Sequence, residues 1–149
     1  MQLSAAAALV LGLGAAAPAL GCTLTLGGGG TLALSADGQR LASSEAGGAG
    51  ASLNIVNLSL GAVDVIVEPP HWASYPPGFD AAGAELAVAY AGSGVLGGVS
   101  QGYTTATTRF TVPGLLSLAV LLRLDNRVTS SQGFASGTYR TRMVVTCAG

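Results

Sequence analysis

Gly98-Val99-Ser100-Gln101-Gly102 spells G-x-S-x-G, the pattern that lifts a nucleophilic serine out of a sharp turn between a strand and a helix. That chemistry needs a helix after the serine and a histidine later in the chain to take its proton. Here a Thr-rich, β-like run follows, and the one histidine, His71, comes earlier. Ser100 therefore reads as a serine in a glycine loop. Gly92-Ser93-Gly94-Val95-Leu96-Gly97 matches G-x-G-x-x-G directly after a strand. In dinucleotide-binding folds that spacing brings a pyrophosphate to a helix N-terminus, with an acidic residue about twenty positions on. Residues 98–102 continue as loop, and Ser117 and Leu118 stand where the acid belongs. The pattern reads as a flexible hairpin.

Asp64 and Glu68 are the nearest approach to an acid–base pair. Four positions apart on a strand places them about 13 Å from each other, beyond the separation that glycoside hydrolysis uses. They read as solvated face residues. One histidine without a second histidine or a free cysteine builds no zinc site of ordinary spacing. Asn57-Leu58-Ser59 is a formal glycosylation acceptor, but it falls inside an expected strand. No nucleophile–base pair stands out, so the chain is not expected to be an enzyme, and no metal or cofactor is expected.

The best candidate for a binding site is residues 69–84. They hold four of the six prolines, the only Trp and the only His. His71, Trp72, Tyr75 and Phe79 on a proline-stiffened loop could stack on a sugar ring or a partner surface. The competing reading has Trp72 and Phe79 plugging one end of a β domain, and aromatic burial is the larger energetic term. Proline density also argues against regular sheet or helix there.

The elements that must position these residues belong to one domain, since the chain has 149 residues. Six Arg, no Lys and seven acidic residues give a net charge of −1. No basic stripe exists, so nucleic acid is not an expected partner. Residues 1–21 are apolar and rich in small side chains, with Pro18 and Ala19 near a plausible cleavage point. They read as a signal peptide, leaving residues 22–149 as a single β-sandwich domain without a membrane span. An uncleaved anchor is the competing reading, since the run is about long enough to cross a bilayer.

Cys22 and Cys147 stand at the two ends of that domain. As a bridge in an oxidising compartment they fit an exported protein, periplasmic, at the cell surface or extracellular. Ala19-Leu20-Gly21-Cys22 also invites lipoprotein processing, which would leave Cys147 without a partner.

Short β-like runs broken by turn residues follow Cys22. Strands are expected over 22–26, 31–35, 51–60, 62–68, 85–90 and 104–112, with a tight hairpin at Gly61 and a glycine-rich connection over 91–102. Residues 115–126 are long enough for a helix. Leu116, Leu118, Val120, Leu122 and Leu124 nevertheless keep period two, which predicts a central strand. In the last strand alternation puts Tyr139, Met143, Val145 and Cys147 on one face, with Arg140, Arg142 and Thr146 on the other. Seven or eight antiparallel strands fit an all-β, two-sheet sandwich.

Gly133-Phe134-Ala135-Ser136-Gly137-Thr138-Tyr139, followed by a Val/Thr strand, resembles the closing strand of bacterial pilin-like domains. In this it is similar to the spore coat protein U family and other secreted subunits of the chaperone–usher type. An early cysteine behind an export signal is similar to that group. The resemblance covers roughly the last fifth of the chain plus the signal. It implies an immunoglobulin-like sandwich and a structural or coat/pilus-type role at the cell surface, with like subunits or a periplasmic chaperone as partners. The alternative is a secreted module that binds carbohydrate or protein through residues 69–84. No free alternating extension precedes Cys22 to serve as a donor strand, so polymerisation by strand exchange is not expected.

Overall fold

The computed structural model describes residues 10–11, 21–94, 97–114 and 118–148. The first five strands are β1 (Val10–Leu11), β2 (Cys22–Gly28), β3 (Ala33–Leu34), β4 (Arg40–Ala42) and β5 (Ala51–Asn57). Then come β6 (Val63–Val67), β7 (His71–Ser74), β8 (Glu85–Gly94) and β9 (Gly97–Thr104). The chain continues through β10 (Thr108–Val112), β11 (Leu118–Thr129), β12 (Arg140–Met143) and β13 (Val145–Ala148).

The apolar run expected as a central strand is the centre of the larger sheet. One edge of β11 pairs antiparallel with β5 and, further along, with β4, while its other edge pairs with β8. β2 extends the sheet beyond β5, β3 beyond β4, and β9 beyond β8. Period two holds where it matters: Leu122, Leu124 and Val128 are fully buried, and Leu121, just before them, is 59% exposed. Residues 115–117 of the expected strand, Leu116 included, lie outside the described residues, as do residues 1–9 and 12–20 of the expected signal peptide. Val10–Leu11, inside that segment, pair in parallel with β12.

β10, β6 and β13 form a second antiparallel sheet, and β7 pairs with β12. A 3.0 Å hydrogen bond from Glu68 N to Val144 O carries the ladder from one pairing into the other. Both layers turn their alternate residues into one core, where Leu53, Ile55, Leu122 and Leu124 meet Val65, Val67, Met143 and Val145. The fold is therefore all-β and, apart from the parallel β1–β12 pair, antiparallel among the described residues, with two layers sharing a core. A second, smaller core gathers Leu32, Leu41, Val128 and Tyr139 at one end.

Cys22 and Cys147 are bonded, with Cα atoms 6.3 Å apart. That spacing lies inside the range a disulfide spans. The bridge joins β2, an edge of the larger sheet, to β13 in the second sheet.

Three expectations are corrected. Gly61 does not make a hairpin, because β5 and β6 belong to different sheets. The crossing is held by Asn57, whose buried Nδ2 donates to the carbonyls of Gly61 (3.0 Å), Val112 (3.2 Å) and Pro113 (3.3 Å). Its Oδ1 accepts from the backbone N and hydroxyl of Ser59, at 2.9 and 2.7 Å. Residues 91–102 are not a plain connection. The strands β8 and β9 continue to Gly94 and Gly97, which pair at the hairpin end, because sheet pairing outweighs the weak strand preference of glycine. Finally, β7 is a short strand between Pro70 and Pro76 that pairs with β12 across one register shift. Four residues are enough to pair, since neither proline has to donate to the ladder.

Candidate functional site

β7 separates the four candidate binding residues by alternation. Thr141 is opposite Trp72 and Arg142 is opposite His71, so Trp72 turns inward and His71 outward. Trp72, Tyr75 and Phe79 come together, with Trp72–Tyr75 and Trp72–Phe79 centroids 5.7 and 5.3 Å apart. Two further rings complete the group: Phe79 stacks on Phe134 at 5.4 Å and meets Tyr139 edge-on at 5.0 Å. Offset and edge-to-face pairs each add about 0.5–1.5 kcal/mol beyond area burial. Trp72 Nε1 donates to Ala81 O at 3.3 Å, which fixes the returning loop. Trp72, Phe79 and Phe134 pack against the smaller core, so these rings close that end of the molecule. Tyr75 keeps 47% of its surface exposed, and His71 is exposed on the opposite face.

In the sequence Phe134 was visible only as part of a glycine-punctuated turn and Tyr139 as an inward position of the last strand, with nothing local to place either beside Trp72. The turn needs its glycines for a specific reason. Gly137 has φ +149°, and a Cβ there would collide with the ring of Pro76. The closing turn and the proline loop therefore touch through a residue without a side chain.

Tyr139 is almost fully buried, and its hydroxyl donates to Ala135 O at 3.0 Å. Burial holds its phenol above the ordinary value of 10.0.

Ser100 lies exposed on β9, opposite Ala91 of the larger sheet, while His71 lies in the second sheet. Fold and position thus separate the two residues a nucleophile elbow would join. The G-x-G-x-x-G stretch contains the β8–β9 hairpin end, and its residues 95–96 lie outside the described residues. Asp64 pairs across strands with Arg109 at 3.3 Å and accepts from Thr111 Oγ1 at 2.9 Å. Among the described residues no group of three or more His, Cys, Asp and Glu side chains converges as a metal site would. The amide of Asn57 is buried and fully engaged, which removes it as a glycan acceptor.

Two concavities among the described residues bear on ligand binding. An apolar cleft of about 190 Å³ lies between the sheets, lined by Val99, Phe110, Val112 and Val120. A shallow trough of about 570 Å³ crosses the outer face of β5, β11 and β8. The guanidinium at its rim, Arg123, is already held by Asp125 at 3.1 Å.

The chain matches no protein-family model. No curated protein matches it either. Among the described residues no helix is long and apolar enough to cross a membrane.

Proposed function

We propose that this protein is an exported structural subunit, a coat- or pilus-type component of the bacterial cell surface with an immunoglobulin-like sandwich. One observation carries the reading. Among the described residues β13 pairs only with β6, which leaves its other edge without a described partner. The Glu68–Val144 bond sets the alternation along β13, which leaves the N–H groups of Val145 and Cys147 facing that edge. An unpaired edge above a well-packed core is a template for an added strand from another chain. Pairing of β12 with the short apolar strand Val10–Leu11 is in keeping with such uptake. Three features favour the immunoglobulin-like part: the inter-sheet bridge, the buried Tyr139 at the start of β12, and its hydroxyl turned back to Ala135. The partner is a like subunit or a periplasmic chaperone.

Hydrogen exchange of the disulfide-bonded protein tests this. The Val145 and Cys147 amides should exchange fast in the monomer and become protected in concentration-dependent assemblies or in a captured chaperone complex. Assemblies in which both amides stay fast would overturn the reading, as would a protein that remains monomeric at every concentration and captures no chaperone.

A further inference from the structure

Three arginines are neutralised by carboxylates: Arg40 by Glu45, Arg109 by Asp64 and Arg123 by Asp125. Arg127 lies over the ring of Tyr103, 4.2 Å from its centroid. The remaining two, Arg140 and Arg142, are both exposed on β12. All seven Asp and Glu residues of the chain are among the described residues, and none forms an ion pair with either arginine.

Their placement is ordered. Positions 140 and 142 lie on the same face, about 7 Å apart along the strand. Across the ladder, Arg142 is opposite His71, about 5 Å away, and Arg140 is opposite Ser74 beyond a register shift between Arg140 and Thr141. The inward partners Thr141, Trp72 and Met143 pack into the cores, which fixes the backbone beneath the row. Two guanidinium forks, a ring nitrogen and a hydroxyl thus share one small patch, rich in donors, and Glu68, opposite Val144 on the same face, forms no ion pair with either arginine. Like charges on neighbouring positions repel unless an anion lies between them. Tyr75 follows Ser74 directly and is half exposed.

We propose that this row, Arg140, Arg142, His71 and Ser74, binds the carboxylates of an acidic polysaccharide at the cell surface. Guanidinium forks match planar carboxylates in bidentate geometry. A chain with net charge −1 disfavours a long, uniformly charged polyanion elsewhere on its surface. What remains is local recognition of a few sugar carboxylates. The location rests on the surface-subunit reading, but the patch lies on a sheet face and stays accessible whatever occupies the edge of β12. Repetition of the subunit would multiply weak single contacts into avidity.

The test is calorimetric titration of the monomeric, disulfide-bonded protein with oligogalacturonate at low and high ionic strength, with Arg140→Ser/Arg142→Ser and Arg109→Ser variants alongside. Binding should saturate at low salt and disappear at high salt. It should weaken at least about tenfold in the double variant, a loss of about 1.4 kcal/mol, and persist in Arg109→Ser. Unchanged melting temperatures would show that both variants fold. Undiminished affinity in the double variant overturns the proposal. So does equal affinity for a neutral oligosaccharide, or for single-stranded DNA of the same charge. The monomer is used so that failure to assemble, which would sink the subunit reading alone, leaves this result interpretable.

Discussion

The hydroxyl of Tyr139 reaches back four residues to the carbonyl of Ala135, 3.0 Å away, while its ring lies buried between Phe79 and Phe134. One side chain thereby fixes the turn, the start of β12 and the aromatic end of the fold. Tyr139→Phe keeps the ring and loses the bond, so it should cost about 1 kcal/mol in urea denaturation. Tyr139→Ala should cost about 3–5 kcal/mol. Because burial raises the folded-state phenol above 10.0, the unfolded chain ionises first as pH rises. The stability Tyr139 supplies is thus complete below about pH 10 and declines above it. Unfolding midpoints measured across that window should fall less steeply in Tyr139→Phe than in the parent.

The Cys22–Cys147 bond spans a sequence separation of 125. In the chain-entropy account, closing a loop of that size stabilises the fold by about 5 kcal/mol. Reduction, or Cys22→Ser/Cys147→Ser, should lower the urea midpoint accordingly, and the intact mass of the native protein should lack two hydrogens. Two free thiols, or an acyl chain on Cys22, would contradict the bridge.

Asn57 should be the most sensitive polar position of the inter-sheet crossing. Asn57→Ala leaves the carbonyls of Val112 and Pro113 without their buried donor. Loss of about 2–3 kcal/mol in thermal or urea unfolding is expected. Asn57→Asp should be no better, since a carboxylate cannot donate to those oxygens.

Trp72 and Tyr75 separate end-plug from recognition. Trp72→Ala should destabilise by about 3–5 kcal/mol, in line with large aromatic truncations. Tyr75→Ala, at a half-exposed ring, should cost well under half of that. A glycan array on which Tyr75→Ala loses signal while its melting curve stays put would assign this ring to binding.

Much of the fold was legible because period two is a strong signal wherever one face is buried. Leu122 and Leu124 against Leu121 and Arg123 declared β11, and Tyr139, Met143 and Val145 declared the closing strand. Sheet membership was not legible. Gly61 looked like a hairpin because the sequence around it says nothing of where Asn57 finds its acceptors, more than fifty residues away at Val112 and Pro113. β7 was hidden by the prolines on either side, and the β8–β9 hairpin by its glycines. The candidate site divided in a similar way. Composition singled out His71, Trp72, Tyr75 and Phe79, yet only the topology brings Phe134 and Tyr139 to the same rings and Arg140 and Arg142 beside His71.

A covalent link between the first and last strands of the sandwich also sets how the molecule carries tension. Force applied at the two ends of the domain passes through the sulfur atoms and bypasses residues 23–146 between them. Without the bond those residues would pay out roughly 400 Å of slack when unravelled. With it the domain is an inextensible link, so a string of such domains would yield at the joints between neighbours first.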